Sequence, residues 1–399
     1  MKVLYLTPHV PGPTKVRSYY HIQGLRAAGV QVTVATLFRG GPDREQIERL
    51  KDNGFVVLAE PINLVRSAQS VLQAVLSRSP LQARLLWSPA LLERVQRRLI
   101  EQPVDIVHVE HLRMAEFGLH LRAYWPVVWD AVDHLGSLYG QAAAASVSPL
   151  WRIAAALETP RLQHFEPYLT SQFPMTLVIS PYDQALFQET SSVPDRVKIA
   201  PLGIPLNTVP AVVRDPATLI ITGTLNYHPN VASVLAFVRD IFPRVRQQVP
   251  EARLQLVGAN PDRVIRRLNG PDIEVTGFVP SVAEYLARAT VALAPVIYGS
   301  GTQVKVLEAF AARAPLVATP TALRGLSIHP GEQALVADDA PGLADRIVCL
   351  LRDANLRRRV GAAGRAYVEQ HHGLPHTTEN LLQLYRQIQQ PLSSPAHRQ

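Results

Sequence analysis

Sulfur and long apolar runs are what this chain has least of. One cysteine, Cys349, stands among 399 residues, which excludes a disulfide framework and a thiolate zinc cluster. Cys349 falls in an apolar helical pattern, so a place in the core is expected for it. No apolar run reaches membrane-spanning length. The apolar stretch behind Met1-Lys2 is also too short for a signal peptide, and a cytoplasmic protein is expected. The first strand-to-helix turn lacks G-x-G-x-x-G, which argues against a dinucleotide there and against a nicotinamide-dependent dehydrogenase. No D-x-D occurs, so no metal-bridged phosphate site of that kind is expected. Aromatic residues make up 7% of the chain and are not interleaved with basic ones, so nothing points to nucleic acid as a partner. Acidic residues are the scarcer charge, 32 against 40 Lys and Arg, for a net charge of +8. The excess is Arg on helical faces, as in Arg94, Arg97 and Arg98, and again in Arg357, Arg358 and Arg359. Such a surface suits nucleotides or an anionic membrane, and equally serves solubility.

What is present is an α/β rhythm that starts twice. The length suits two domains. Lys2 to Leu6 reads as a strand, Arg17 to Ala28 as a helix with Tyr20, Leu25 and Ala28 inward, and Val30 to Ala35 as a second strand after Gly29. This is a βαβ unit, the start of a parallel sheet. Phe55 to Leu58 is a third strand. Residues 62–102 read as a helical insertion broken at Pro80 and Pro89, with Leu72, Val75 and Leu76 and then Leu91, Val95 and Leu99 at helical spacing. A basic face on it would suit a membrane or a lipid-linked substrate. Strands ending at Glu110-His111 and at Asp130 to His134 bring polar clusters to their carboxyl ends, where ligands of parallel sheets sit. There Asp133 and His134 are candidates for orienting a hydroxyl or moving a proton. Asp130 is either a ligand of the acceptor or a cap for the next helix. Lys15 and Arg17, in the first turn, would face an acidic substrate or lie solvated. Residues 150–172 read as a helix interrupted at Pro160. The first domain is placed at 1–203, the second at 204–375, and a last helix with a frayed tail at 376–399. The architecture expected is two Rossmann-like, doubly wound parallel sheets facing a cleft.

One stretch organises the second domain: Tyr298-Gly299-Ser300-Gly301-Thr302-Gln303-Val304-Lys305, running on through Glu308 to Ala312. The apolar run Val291 to Val296 precedes it as a buried strand. Two glycines, Ser300 and Thr302 then open a helix, and free amides at such a start suit a phosphate. Lys305 adds a charge one turn in. Glu308 lies a further turn along the same side, where a carboxylate would take the vicinal hydroxyls of a ribose. An ordinary capped βα turn has the same pattern. Together the parts describe a site for a nucleoside diphosphate sugar.

With these motifs in order, the chain resembles the retaining GT-B glycosyltransferases of family 4 (glycosyl transferases group 1), in particular the branch associated with exopolysaccharides. The likeness rests on Gly223-Thr224-Leu225-Asn226-Tyr227-His228-Pro229-Asn230, Leu256-Val257-Gly258, Thr276-Gly277-Phe278-Val279, and Gly299-Ser300-Gly301-Thr302 through Glu308-Ala309. In the first half it rests on Pro11 to Arg17, Gly24-Leu25, Gly29-Val30 and Asp105 to Glu110. The resemblance implies transfer of a sugar from a UDP- or GDP-sugar to a sugar, glycolipid or lipid-linked acceptor, with no cofactor besides the donor. It implies work in the cytoplasm, at the inner face of the membrane. Gly223, Thr224, Gly299, Ser300, Gly301, Thr302, Lys305 and Glu308 would hold the donor. Lys15, Arg17 and Asp130 would meet the acceptor, with Asp133 and His134 beside it. Two features depart from the family. Ser300 stands where many relatives carry a glutamate, and Asn226-Tyr227-His228 stands where many carry an Arg and a Lys. Lys305 and the loop amides are expected to supply that missing countercharge. A sugar-nucleotide epimerase and a non-catalytic sugar-nucleotide binder share the same plan.

Overall fold

The computed structural model describes residues 1–63, 79–145, 149–206, 213–299 and 301–389. Its contacts divide the chain into two units. One comprises Met1–Ser137, Leu157–Gly203 and the chain from Leu374 onward; the other comprises Leu138–Ala156 and Ile204–Gly373. Residues 138–156 were expected in the first domain and instead pack with the second unit. Ring contacts explain this: Trp151 lies 4.7 Å from the His228 ring and 5.6 Å from Tyr139.

The first unit is a seven-stranded parallel sheet of β1 (Lys2–Thr7), β2 (Gln31–Phe38), β3 (Val56–Pro61), β4 (Ile106–Glu110), β5 (Val127–Val132), β6 (Met175–Val178) and β7 (Val197–Ile199). Their spatial order is β3-β2-β1-β4-β5-β6-β7. Every pairing is parallel. β4 is buried along its whole length and β1 along all but Lys2, as a sheet covered on both faces requires. The strand order reverses between β1 and β4, which opens a switch point at their carboxyl ends.

The second unit holds β8 (Thr218–Thr222), β9 (Arg253–Val257), β10 (Ile273–Gly277), β11 (Val291–Ala294), β12 (Leu316–Ala318) and β13 (Leu335–Val336), ordered β10-β9-β8-β11-β12-β13. These pairings are parallel too. The switch point here lies between β8 and β11. Two doubly wound sheets are therefore the fold that the alternating pattern predicts.

Several local expectations are corrected. The helix Val16–Ala27 buries Arg17, Ser18, His21, Ile22 and Leu25, while Ala28 is exposed. The inward set is largely polar because it serves a buried network described below. The helix Pro149–Gln172 continues through Pro160 and Pro167. Tertiary packing of Ala155, Leu162 and Leu169, all buried, outweighs the helix-breaking effect of proline. Cys349 is exposed on the helix Ala340–Arg352, since the buried stripe there is Leu343, Ala344, Ile347, Val348 and Leu350. The expectations for Leu72, Val75 and Leu76 lie outside the described residues, whereas Leu91, Val95 and Leu99 are buried as their spacing predicts. The last helix, Leu374–Gln389, groups with the first unit.

Candidate active site

In the second unit the loops leaving β8 and β11 converge at the switch point. Gly223, with φ +141, follows β8, and Gly258, with φ +157, follows the neighbouring β9. A Cβ on Gly258 would lie 1.8 Å from the Gly223 carbonyl oxygen, so only glycine lets these two loops meet. A Cβ on Gly223 would come within 3.7 Å of Lys305 Nζ. Lys305 therefore reaches back from the helix Val304–Ala311 to the loop after β8, where its Nζ donates to Asn230 Oδ1 at 2.7 Å. Asn230 Nδ2 in turn donates to the Thr224 carbonyl at 2.9 Å, which fixes the side chain that orients the ammonium. Thr224 itself is exposed.

Burial governs the electrostatics of this corner. Lys305 is 8% exposed, and burial pulls its pKa down to about 8, against the partial support of Glu308. Burial pushes the Glu308 carboxyl up to about 7, opposed by the Lys305 charge. The two groups lie one helical turn apart and each titrates near neutrality. Thr302 is buried, and its Oγ1 has no hydrogen-bond partner among the described residues. Such an orphaned hydroxyl costs free energy unless a further group takes its bond. Gly301, at φ +65, turns the chain just before it. Gly299, expected at the phosphate, donates its amide to Gln141 Oε1 at 3.3 Å instead. The Tyr298 hydroxyl lies 2.8 Å from His228 Nδ1 and the two rings stack, so the loop is pinned from both sides. Ser300 lies outside the described residues.

Sequence reasoning named Asn230, His228 and Tyr298 within its motifs but gave none of them a role, and it did not single out Gln141. Asn230 had a signal, since it ends the polar loop after β8 at the start of a helix. Gln141 had none, because its loop partner is distant in sequence.

In the first unit the expected residues are not all turned to one place. Arg17 and Asp130 are turned on each other. Arg17 Nε and Nη2 donate to the two Asp130 oxygens at 2.9 and 2.8 Å, and Nη1 donates to the Ala200 carbonyl at 3.0 Å. Both side chains are buried. This corrects the expectation that they meet an acceptor: a planar guanidinium matches a carboxylate too well to leave either group available. Burial alone would raise the Asp130 pKa, but the Arg17 charge and the His108 contact hold it well below the usual carboxylate range. His108 Nε2 lies 3.2 Å from the same carboxylate, its Nδ1 lies 2.8 Å from the Tyr385 hydroxyl, and its ring stacks on Tyr5 at 4.2 Å.

His134 is likewise committed. Its Nδ1 accepts from the Ser137 amide at 3.0 Å, its ring packs on Phe187, and its own amide donates to Asp183 at 3.1 Å. Glu166 accepts the Leu135 and Gly136 amides at 2.8 and 2.9 Å. His134 and Glu166 thus cap the helix Leu135–Ala145, and burial lowers the His134 pKa to about 4. This corrects its assignment to proton transfer, since an imidazole capped in this way stays neutral. Asp133 is half-buried beside it. Lys15 is exposed at the start of Val16–Ala27, near enough to Arg113 and Arg39 to feel their charge, with Asp43 and Glu110 offsetting them. Glu110 is buried at the end of β4, its Oε2 is without a partner among the described residues, and burial with the Asp130 charge raises its pKa to about 7.

Among the described residues, His21, His108 and Asp130 form the one group whose ligand atoms are close enough for a metal, within 4.8 Å of one another. Arg17 occupies both Asp130 oxygens, and Tyr5 lies 3.0 Å from His21 Nδ1, so a cation would have to displace the guanidinium. The group does not fit a metal.

Two parallel, doubly wound α/β units of seven and six strands are the architecture of the GT-B class of fold. The family comparisons give the class its chemistry. Residues 15–208 match the model described as Glycosyltransferase Family 4, and residues 216–353 match Glycosyl transferases group 1. The chain carries both glycosyltransferase domains and is a glycosyltransferase. It is 26% identical over 302 residues, 72% of this chain and 75% of the relative, to a phosphatidyl-myo-inositol mannosyltransferase of Mycobacterium leprae (strain TN). Among solved structures it is similar to sucrose-phosphate synthase from Thermosynechococcus elongatus, with a TM-score of 0.71 and 18% identity over 97% of this chain and 99% of that one. It is also similar to HepE of Anabaena in complex with UDP-glucose, with a TM-score of 0.71 and 15% identity over 97% and 100% of the two chains.

Proposed function

We propose that the chain transfers a sugar, with retention at the anomeric carbon and without a metal ion, from a UDP- or GDP-sugar to a hydroxyl of a sugar, glycolipid or lipid-linked acceptor. The observation that carries the donor part is the corner formed by Gly223, Asn230, Thr302, Lys305 and Glu308, where a buried ammonium, an orphaned hydroxyl and a carboxylate are carried on one loop and the helix it opens, at a switch point. In this reading the Lys305 ammonium and the Thr302 hydroxyl take the diphosphate, and the Glu308 carboxylate takes the ribose diol. As the glycosidic bond of the donor breaks, negative charge grows on the β-phosphate. A fixed ammonium in a buried site stabilises that charge without reorganising at the moment of reaction. The departing phosphate oxygen can accept the proton of the attacking hydroxyl, so no side-chain base is assigned.

The mannosyltransferase relative acts on phosphatidyl-myo-inositol by its name, and the HepE structure holds UDP-glucose. These support a nucleotide-sugar donor and a lipid-borne acceptor, as in exopolysaccharide or glycolipid assembly in the cytoplasm, at the inner face of the membrane. Among the described residues no helix is long and apolar enough to cross a membrane, so contact with a lipid-borne acceptor would be peripheral. The test is a panel of nucleotide sugars assayed for released nucleoside diphosphate, with soluble and with lipid-linked acceptors. Acceptor-dependent release with a glycosylated product is expected. Donor consumed without acceptor and recovered as its epimer would replace this reading with an epimerase. Binding of UDP or GDP with no release under any acceptor would make the chain a binder only.

A further inference from the structure

Between β11 and the helix Val304–Ala311, the residues that lead to the orphaned Thr302 hydroxyl are held from several sides. The Ile297 amide donates to Ser233 Oγ at 3.3 Å. Tyr298 stacks on His228, with its hydroxyl 2.8 Å from the imidazole Nδ1. Gly325 closes in on Gly301, since a Cβ there would stand 2.8 Å from the Gly301 carbonyl oxygen. Gly299 is held from farther away in sequence. Its amide donates to Gln141 Oε1 at 3.3 Å, and Gln141 belongs to residues 138–156, which group with the second unit. The same segment supplies Trp151, whose ring lies 4.7 Å from that of His228 and so backs the contact with Tyr298.

We propose that Gln141 is a positioning residue for sugar transfer. It touches no donor atom. By fixing the Gly299 amide it sets the place from which the chain turns through Gly301 and offers Thr302 to the diphosphate. The proposal rests on the reading that Thr302 and Lys305 hold that diphosphate. A side-chain amide suits the task, because its carbonyl accepts a backbone N–H without bringing a negative charge beside an anionic ligand, as a carboxylate would. A stretch with glycines at 299 and 301 has much backbone freedom to lose, and a contact that removes it beforehand spares that cost when the donor binds. Lys305 is held separately, by Asn230 on the helix His228–Ala236. Gln141 therefore acts on the hold over the bound donor, while the ammonium that meets the developing charge stays in place without it. Such a residue moves KM and spares kcat.

The experiment compares wild type with Gln141→Leu, which keeps much of the shape without the acceptor, and with Gln141→Glu, which keeps an acceptor oxygen. Each full chain is followed by hydrogen exchange of the peptide that carries Gly299, by calorimetric titration with UDP and with GDP, and by donor KM and kcat. Gln141→Leu should speed exchange of that peptide about fivefold or more and raise donor KM about five- to tenfold, the scale of one hydrogen bond, with kcat within about twofold. Its melting temperature should stay unchanged, since Gln141 is half-buried and leucine suits a helix. Gln141→Glu should restore the slow exchange. The proposal alone is overturned if nucleotide binding is intact in wild type and Gln141→Leu exchanges and turns over as wild type does, or if kcat falls while KM holds. It is also overturned if Gln141→Leu binds the nucleotide more tightly, which would mean that Gln141 withholds the Gly299 amide from the phosphate. A wild type that binds neither UDP nor GDP would overturn the donor reading and this proposal with it, so the two failures are told apart.

Discussion

Arg17 and Asp130 form a bidentate ion pair that is buried at both ends, with N···O distances of 2.9 and 2.8 Å. It ties the helix after β1 to β5, and through His108 and Tyr385 it reaches the C-terminal helix as well. Removing one partner leaves the other charge buried and unpaired, which costs about 3–5 kcal/mol. Asp130→Ala should therefore lower the stability of the chain by that order in urea unfolding at neutral pH. The folded pKa of Asp130 is depressed, so the pair's contribution is complete above the ordinary carboxylate range, about 4. It declines as pH falls below that. The difference between wild type and Asp130→Ala should narrow in acid, and a difference that stays constant between pH 7 and pH 3 would refute the assignment.

That pair also marks where sequence reading stops. The sheets were legible because strands buried on both faces must be largely apolar runs, as in Val291 to Ala294 and Leu219 to Ile221. The Lys305 and Glu308 corner was legible because the spacing of a loop and one helix is local. Arg17 and Asp130 were not. Each alone looks like a ligand at a strand end, and only the parallel packing of β1, β4 and β5 brings them face to face. His134 failed for the same reason, since Glu166 and Asp183, which fix it, come from later segments. Cys349 shows a smaller error: one residue along a helix is about 100° of rotation, enough to leave an apolar stripe.

Donor affinity should be greatest between pH about 7 and about 8. Burial pulls the Lys305 pKa down to about 8 and pushes that of Glu308 up to about 7. Above pH 8 the free site loses its ammonium, and diphosphate binding must then take up a proton, so affinity should fall up to about tenfold per unit. Below pH 7 the Glu308 carboxylate protonates and stops accepting from both ribose hydroxyls, so affinity falls on that side too. Isothermal titration of UDP across this range is the check. Glu308→Gln should flatten the acid limb, and Lys305→Arg, which holds its charge, should flatten the alkaline one. A profile level from pH 6 to pH 9 in wild type would count against both roles.

Gly258→Ala should damage the donor loop more than its size suggests. The added Cβ would sit 1.8 Å from the Gly223 carbonyl oxygen, and φ at this position is +157. The backbone after β8 would have to withdraw, carrying the carbonyl of Thr224 and the Asn230 side chain that holds Lys305. A loss of at least about 2 kcal/mol in stability is expected, with a greater proportional loss in UDP affinity. Gly270→Ala is the control, since its Cβ would meet nothing closer than 3.9 Å. Equal behaviour of the two variants would show that the close approach does not matter.

Sugar transfer should survive a chelator. The charge that a divalent ion would neutralise on the leaving diphosphate is matched here by the Lys305 ammonium, held at 2.7 Å from Asn230 Oδ1 and buried away from water. The sequence offers no D-x-D, and Arg17 already saturates the Asp130 carboxylate. Turnover in EDTA should stay within about twofold of the untreated rate, whereas Lys305→Ala should cost about 100-fold or more in kcat/KM, the scale on which a single preorganised charge acts on an oxyanion. The two measurements belong together. If EDTA abolished turnover and magnesium or manganese restored it, the countercharge would be a metal ion. Lys305→Ala would then lower activity only modestly, in proportion to the lost hydrogen bond with Asn230.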